Sequence, residues 1–343
     1  MKLSTLGVRL ALSGAGVLLA LGIAELAFRF APGALGLDLE QARGIQHLIA
    51  HGSPIYQPHP YTGYYGGGGP ASEVASMGRN HPRAGRPGVA RVACLGGSTT
   101  AWGYPADLRR QLREALGREV EVTNWGVGNW TSAESVVNWL LNGQDGTPDA
   151  VVVHHAVNDA KARLQAGYRT DYSHFRRPYR PPATDPWLRP LAERSLLVCA
   201  LLGKRSGLRG VHDMVGVGQV WDSERAQDPE RAAGFLRNMR TLVRHAQARG
   251  ALAIVMTQPQ DEQRAQGRHA DHLIALVEEH NELVRELARE EGALLVDLDA
   301  QARALGEARR QLFVDHVHMT PDGRKLKAAA VAQALLQSGV LEP

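Results

Sequence analysis

Four short segments of this 343-residue chain carry side chains that could perform nucleophilic chemistry. The first segment, Gly96-Gly97-Ser98-Thr99-Thr100, joins two glycines, which allow a tight turn, to a serine near the start of the next element. Such a serine is either a nucleophile lifted into a cleft or part of a phosphate cradle. The chain lacks the GxxxxGK[ST] pattern of a phosphate-binding loop, which favours the nucleophile.

A histidine and an aspartate near the carboxyl end could activate that serine. Asp315 and His318 stand three residues apart, so their side chains can meet across a turn. The carboxylate would then accept a hydrogen bond from the imidazole Nδ1–H and leave Nε2 free to take a proton from a serine hydroxyl. His316 is a competing candidate for the base, and the spacing from Asp315 favours His318.

The stretch from Asn124 to Ser132 could stabilise negative charge on a carbonyl oxygen. Its small residues let the backbone N–H groups of Gly128 or Asn129 approach a ligand, as an oxyanion hole requires. The same stretch could be an ordinary strand-to-helix turn in which Thr131 or Ser132 caps the helix. The two interpretations are compatible.

The segment His154–Asp159 could supply a side-chain donor to the same oxygen. We expect the Asn158 amide to donate to a developing oxyanion, and Asp159 to stabilise its turn through local backbone hydrogen bonds. His154 and His155 resemble metal ligands, but neighbouring residues on a strand point to opposite faces and do not readily chelate one ion. The sequence therefore predicts no metal and no cofactor.

The elements that must position these segments alternate between strand and helix. Five short apolar runs are typical of strands covered on both faces, and helical patterns lie between them. Ligands of a doubly wound parallel sheet bind at the carboxyl ends of its strands, where the candidate segments fall. The predicted strands are Arg91–Leu95, Glu119–Asn124, Ala150–His155, Ala251–Thr257 and Ala293–Val296, and the predicted helices cover 105–116, 228–249, 268–291 and 321–337.

The amino terminus predicts one transmembrane helix within residues 1–30. Residues 10–24 are uncharged and apolar, and apolar side chains resume after Glu25, which gives about the length that crosses a bilayer. Arg29 stands four residues after Glu25 and could pair with it. A cleaved signal peptide is the alternative, but no Ala-x-Ala site follows the apolar run. In both cases Lys2 and Arg9 keep the first residues cytoplasmic and the bulk of the protein is extracytoplasmic.

The remainder divides into a linker and a larger domain. Residues 31–90 are rich in glycine, proline and tyrosine, which predicts a tether or an irregular layer. Residues 91–340 form the predicted α/β domain. An insertion at about 160–227, rich in arginine, proline and tyrosine, interrupts its alternation of strands and helices.

Composition excludes several classes of protein. The chain has 39 basic and 35 acidic residues, a net charge of +4, and 44% hydrophobic residues, which excludes overall disorder. Its basic residues are scattered among acids without interleaved aromatics, so nucleic-acid binding is not expected. Two cysteines, Cys94 and Cys199, exclude a disulfide scaffold or a CxxC zinc site. Both lie in apolar runs and are expected to be buried as free thiols. A single disulfide bond between them is the alternative.

In chain order and strand-end placement, the four segments resemble the SGNH branch of the GDSL-like esterases and lipases. The resemblance covers roughly residues 91–338. It implies a flavodoxin-like three-layer α/β/α fold with a Ser-His-Asp triad and an oxyanion hole. The matching residues are Ser98 as nucleophile, Asn158 as oxyanion-hole amide and Asp315 with His318 to complete the triad, while Ser98, Gly128 and Asn129 are the candidate backbone donors.

This sequence departs from the family pattern at three positions. The later glycine of the second family block falls on Asn129, which can still donate its backbone N–H if it adopts the required dihedral angles. Gly97 stands where the family usually has aspartate, and Ala156 stands where glycine is common. The last two departures bear on the substrate more than on the chemistry.

The resemblance implies a serine esterase that cleaves acyl or acetyl esters of a cell-envelope glycan or lipid. One alternative is an O-acyltransferase that uses the same triad on envelope polysaccharide. The other is a non-catalytic, membrane-tethered scaffold whose partner docks on the insertion, particularly at Tyr168–Arg180, although the intact triad argues against it. Aromatic residues near the four segments could stack on sugar rings or belong to the core. They are Trp102, Tyr104, Trp125, Trp130 and Trp139.

Overall fold

The computed structural model describes residues 5–52, 56–66, 88–143, 146–175, 185–206, 221–267 and 269–342. Its helices are α1 (Thr5–Phe30), α2 (Leu39–His51), α3 (Ser98–Ala101), α4 (Tyr104–Leu116), α5 (Ser132–Asn142), α6 (Val157–Arg163), α7 (Arg189–Ala192), α8 (Leu196–Ser206), α9 (Ala233–Ala248), α10 (Ala270–Glu291), α11 (Leu298–Ala304) and α12 (Pro321–Ser338). Its strands are β1 (Tyr56–His59), β2 (Gly63–Gly66), β3 (Ala90–Gly96), β4 (Val120–Gly126), β5 (Ala150–His154), β6 (Leu252–Met256) and β7 (Leu294–Val296).

The described residues fall into two compact units. One lies within Met1–Tyr56 and Pro178–Gly216, and the other within Gln57–Arg177 and Val217–Pro343. The predicted linker and insertion boundaries stay predictions. Residues 67–87, 176–184 and 207–220 of those segments, including part of Tyr168–Arg180, lie outside the described residues.

The larger unit contains a five-stranded sheet in the order β4-β3-β5-β6-β7, with every pairing parallel. The order reverses after β3, which is the flavodoxin-like arrangement of a doubly wound sheet. All five predicted strands and the four predicted helices are present. The predicted fold class is therefore confirmed.

Successive side chains of each strand point to opposite faces of the sheet, so apolar residues form a core on both faces. On β3, Val92 and Cys94 face a cluster that includes residues of α4 and α12. Ala93 and Leu95 face the opposite cluster, which includes residues of α5, α9 and α10. Burying each large apolar side chain contributes about 1.5–3 kcal/mol, so these two layers hold the strand ends in fixed positions.

The smaller unit is helical. Asp38 caps α2 by accepting a hydrogen bond from Gln41 N, and the buried face of α2 repeats at helical spacing. Together with the end of α1, with α7 and with α8, this face forms one apolar cluster within the unit. Its fully or largely buried members are Phe28, Ala42, Ile45, Leu48, Ile49, Ala192, Leu196, Cys199 and Ala200.

Two further sequence expectations concern the cysteines and the first helix. Cys94 and Cys199 are both buried, and both are free thiols. Within α1, the 19 residues Leu12–Phe30 have a mean hydropathy of 1.5 and are long and apolar enough to cross a membrane. Length and composition alone also fit a signal sequence.

Candidate active site

The first candidate segment forms a tight turn between β3 and the short helix α3. A Cβ atom on Gly96 would lie 2.6 Å from the carbonyl oxygen of His154 and 2.1 Å from Thr100 Oγ1, so this position accepts only glycine. Ser98 is the first residue of α3 and follows the carboxyl end of β3, which lies between β4 and β5 in the sheet. The turn therefore places its hydroxyl at the edge of the sheet where ligands bind.

Three candidate residues are joined by a chain of hydrogen bonds. His318 Nε2 lies 2.8 Å from Ser98 Oγ, and His318 Nδ1 lies 2.6 Å from Asp315 Oδ2. The structure thus brings His318 to the serine, whereas the nearby His316 makes no such contact among the described residues. An imidazole held in this way can accept the serine proton at Nε2.

The turn that carries Asp315 and His318 holds the carboxylate from two directions. Asp315 Oδ1 accepts hydrogen bonds from the backbone N–H groups of Val317, at 2.9 Å, and His318, at 2.7 Å. Partial burial acts to raise the pKa of Asp315, but these two bonds and the contact with the imidazole outweigh it and lower the pKa. The carboxylate is therefore ionised and its second oxygen is aimed at Nδ1.

Trp102 covers one face of the His318 ring. The two rings are stacked, with centroids 4.0 Å apart and an interplanar angle of 16°. Arg324 Nη1 donates to the carbonyl oxygen of Trp102, at 2.9 Å, and fixes the backbone of this residue. The indole remains 51% exposed, so it both restrains the imidazole and presents apolar surface beside it.

The loop after β4 approaches the same strand end. Val127 N donates to the carbonyl oxygen of Gly96, at 3.1 Å, and Trp130 N donates to that of Val127, at 3.2 Å. Asn129, between them, has a positive φ of 62°, the left-handed conformation that favours glycine. Asn129 thus adopts the backbone conformation that a glycine would take at this position.

Tyr64 of β2, which is not part of the five-stranded sheet, makes two hydrogen bonds to this loop. Its hydroxyl donates to the carbonyl oxygen of Gly128, at 3.1 Å, and its own carbonyl oxygen accepts from Trp130 Nε1, at 3.2 Å. Tyr64 falls within the predicted linker, and this contact was not expected from the sequence. Nothing in the local sequence pattern indicates it, because the partner residues are more than sixty positions away.

Asn158 is buried at the start of α6 and points toward the same loop. Its Nδ2 donates to the carbonyl oxygen of Trp130, at 2.8 Å, which fixes the orientation of the amide. A Cβ atom on Gly97 would lie 2.8 Å from Asn158 Nδ2 and 3.1 Å from the same carbonyl oxygen. The glycine at position 97 therefore leaves the space in which the Asn158 amide lies.

Asp159 does not make the local turn bonds expected of it. It is fully buried, and both carboxylate oxygens accept from Ser132 N at 3.1 Å, across to the first turn of α5. Burial raises the pKa of Asp159 to about 7, against the lowering effect of the bonds from Ser132. The tertiary contact prevails because the free N–H groups of the α5 terminus need an acceptor in the interior.

His154 and His155 point to opposite sides of the sheet, as expected. His155 Nε2 lies 2.8 Å from Ser135 Oγ on α5, whereas His154 Nδ1 lies 2.8 Å from Lys327 Nζ on α12. Burial lowers the pKa of His155 to about 3 and lowers that of His154 as well. In the described part of the chain, no group of three or more His, Cys, Asp or Glu side chains is placed to hold a metal ion.

Lys327 is a buried amine beside the turn that carries Ser98, and the sequence did not indicate it. Its Nζ donates to the carbonyl oxygen of Thr99, at 2.9 Å, and lies 4.2 Å from the centre of the Tyr104 ring. No carboxylate of the described segments forms an ion pair with it. The amine therefore anchors the residue next to Ser98 through hydrogen bonds in the interior.

Replacing Lys327 with methionine tests its protonation. Burial lowers the pKa of Lys327 from 10.5 to about 7, so between about pH 7 and about pH 10.4 the unfolded chain binds more protons than the folded one. The contribution of Lys327 to the free energy of unfolding must therefore rise with pH across that window. We expect the unfolding temperature of the wild type, relative to Lys327→Met, to increase between about pH 7.5 and about pH 9.5. Parallel pH dependences in the two proteins would contradict a neutral buried amine.

The model of the GDSL-like lipase/acylhydrolase family matches residues 94–326, which is more than half of the chain. The chain belongs to this family. It is accordingly a hydrolase that acts on ester bonds. The matched region contains Ser98, Asn158, Asp315 and His318.

Solved structures of similar proteins share low sequence identity with this family member. A lipase/acylhydrolase from Enterococcus faecalis is 16% identical with a TM-score of 0.45, and the match covers 73% of this chain and 97% of that one. A GDSL-like lipase from Bacteroides thetaiotaomicron is 14% identical with a TM-score of 0.44, covering 72% and 88%. An acetylxylan esterase from Geobacillus stearothermophilus is 17% identical with a TM-score of 0.42, covering 77% and 97%. No curated protein matches the chain in sequence.

Proposed function

We propose that the protein is a serine esterase in which Ser98, His318 and Asp315 form the catalytic triad. The observation that carries this proposal is the unbroken chain of hydrogen bonds from Asp315 through His318 to Ser98. Ser98 Oγ attacks the ester carbonyl while His318 Nε2 takes its proton and then gives it to the leaving alcohol. Water attacks the acyl-enzyme with the same base and releases the acid.

The oxyanion of the tetrahedral intermediate needs donors at the same strand end. We assign the backbone N–H groups of Ser98 and of Asn129 or Gly128, together with the Asn158 amide. Asn158 carries a second N–H besides the one bonded to Trp130, and that bond holds the amide in place. Preorganised donors of this kind are worth more than donors in water, because they need no reorientation when the charge develops.

Asn158→Ala should therefore reduce turnover about a hundredfold or more, which corresponds to about 3 kcal/mol in the barrier. The KM should change much less than kcat, because the donor acts on charge that develops only after substrate binding. Steady-state hydrolysis of an aryl acetate gives both constants. Asn142→Ala, near the end of α5, is a control for an amide that only bonds within its own helix. A tenfold or smaller loss in kcat would remove Asn158 from the oxyanion hole.

We place the substrate among acyl or acetyl esters of an envelope glycan or lipid. Of the five aromatic residues expected near the site, Tyr104, Trp125, Trp130 and Trp139 are buried, whereas Trp102 is half exposed beside His318. An exposed indole next to the group that protonates the leaving alcohol offers a face on which a sugar ring or an alkyl chain can lie.

Labelling with a serine-reactive fluorophosphonate tests the triad. We expect mass spectrometry to find the adduct on Ser98 of the wild type, with a much slower reaction in His318→Ala and none in Ser98→Ala. Phosphonylation needs the activated hydroxyl but no knowledge of the natural ester. A folded wild type that is not labelled, or is labelled elsewhere, would contradict the proposal.

We further propose that α1 is a retained anchor that holds the catalytic domain on the extracytoplasmic side. The end of α1 belongs to the folded helical unit, because Phe28 is fully buried in its apolar cluster and Glu25 accepts hydrogen bonds from the first two backbone N–H groups of α8. Cleavage after the span Leu12–Phe30 would remove both side chains. The intact mass of the protein extracted from membranes should include α1, and a mature chain that begins after Phe30 would contradict retention.

A further inference from the structure

We propose that α7 and α8 form a second membrane contact, lying in the interfacial region of the leaflet from which α1 emerges. The exposed surface of α7 and α8 contacts lipid. The inference rests on the proposed retained anchor, and it adds an attachment that the hydropathy of α1 does not provide. It concerns only the helical unit.

The first argument is the depth at which α8 begins. Glu25 lies within the apolar span Leu12–Phe30, five residues before its end, which is about 7.5 Å along the helix axis. Its carboxylate accepts from Ser195 Oγ at 2.7 Å, from Leu196 N at 3.0 Å and from Leu197 N at 2.9 Å. Because hydrogen bonds fix these groups to one another, the first turn of α8 must lie as deep as Glu25.

These bonds also explain how an acidic residue is tolerated near the end of a span. A charged group at membrane depth needs partners, and Glu25 has the free N–H groups of a helix amino terminus, a hydroxyl and Arg29. The Arg29 guanidinium lies 2.8 Å from Glu25 on the next turn toward the aqueous end. The arrangement gives the carboxylate hydrogen-bond partners and leaves only 18% of the Glu25 side chain exposed.

The second argument is the apolar surface that this unit leaves uncovered. Trp187 is 86% exposed just before α7, Leu191 on α7 is 57% exposed, and Leu201 on α8 is 52% exposed. Phe30, where the span ends, is 84% exposed. Tryptophan is enriched at the level of the headgroups, where its apolar ring and its polar N–H are both satisfied, and helices that lie in the interface bury Trp, Phe and Leu side chains on their apolar face.

The third argument is charge. Residues 185–206 contain four basic and two acidic side chains, and Lys204 and Arg205 follow the apolar run of α8 directly. Both are exposed, as is Arg194 between α7 and α8. Such side chains are attracted to an anionic surface, and long basic side chains reach back to the headgroups from a shallow depth.

A fluorescence experiment on the full-length protein tests this contact. Leu201→Cys and Leu18→Cys are labelled separately with an environment-sensitive dye and reconstituted into vesicles of zwitterionic and anionic phosphatidyl lipids. Quenching is then measured with lipids brominated on the acyl chain. Leu18 is 72% exposed in the middle of α1 and reports only the anchor. The unsubstituted protein serves as the labelling control, because Cys94 and Cys199 are buried.

We expect quenching at both positions, together with a blue-shifted emission at 201 relative to the same protein in 8 M urea. Quenching at 18 with an aqueous, unquenched dye at 201 would overturn the α7–α8 contact and leave the anchor intact. Absence of quenching at both positions would overturn the anchor and this inference together. Ester hydrolysis, measured on the same vesicles, reports the triad independently of either result.

Discussion

Ser98→Ala is expected to abolish ester hydrolysis while the protein stays folded. The substitution removes one hydroxyl, whose partner in the described structure is His318 Nε2 at 2.8 Å. Without the nucleophile, no acyl-enzyme forms, and what remains is the contribution of the oxyanion donors and of substrate binding. Loss of a triad serine costs about 10⁴-fold or more in kcat, which makes this the largest effect we expect from a single atom.

The measurement is the initial rate on an aryl acetate together with the thermal unfolding temperature of the same preparation. Ser338→Ala is the matched control, because that serine is exposed at the end of α12 and its hydroxyl bonds only to backbone groups of Leu335 and Val340. We expect unchanged activity in the control and near-equal unfolding temperatures in all three proteins. A stable Ser98→Ala protein with wild-type rates would remove this residue from the mechanism.

Much of the site architecture could be predicted because it follows from strand ends. A short apolar run covered on both faces identifies β3, β4 and β5, and the parallel topology brings their carboxyl ends to one edge. Ser98 and Asn158 were found in this way. Asp315 and His318 follow from local spacing, since three residues are enough to form the turn that bonds their side chains.

The parts that could not be predicted depend on contacts between distant residues. In the sequence, Lys327 is one of several charged residues on α12. Only its contacts with Thr99 and Tyr104 show that it is buried. Asp159 was expected to bond locally, but the amino terminus of α5 competes for it. Helix α2 had a usable signal in its Asp38 cap and periodic apolar residues, which the surrounding glycine and proline content obscured.

The backbone conformation of Asn129 could not be predicted from the local sequence. The family pattern favours glycine there, and the sequence leaves open whether asparagine adopts the same backbone conformation. The structure gives φ of 62°, a conformation that asparagine tolerates better than most side chains. Two hydrogen bonds hold the residues beside it: Val127 N donates to the Gly96 carbonyl oxygen, and the Tyr64 hydroxyl donates to that of Gly128. The loop sequence reveals neither bond.

Asp315→Asn is expected to reduce turnover by about 10⁴-fold with little change in the fold, because it reverses the hydrogen bond to the base. An asparagine can keep its oxygen toward the backbone N–H groups of Val317 and His318, so the turn persists. Its NH₂ group then faces His318 Nδ1, which must become the acceptor. The proton moves to Nε2, and that atom can no longer accept the proton of Ser98.

The experiment compares Asp315→Asn with Asp322→Asn, an exposed aspartate in the first turn of α12 that pairs with Lys325. We expect wild-type rates from the control and a loss confined to kcat in the test variant, since Asp315 acts on the chemical step through its bond to His318. Fluorophosphonate labelling of Ser98 should slow in proportion to kcat, because both reactions need the same proton acceptor. If hydrolysis fell while labelling kept its wild-type rate, Asp315 would act after the serine attack and not through the orientation of His318.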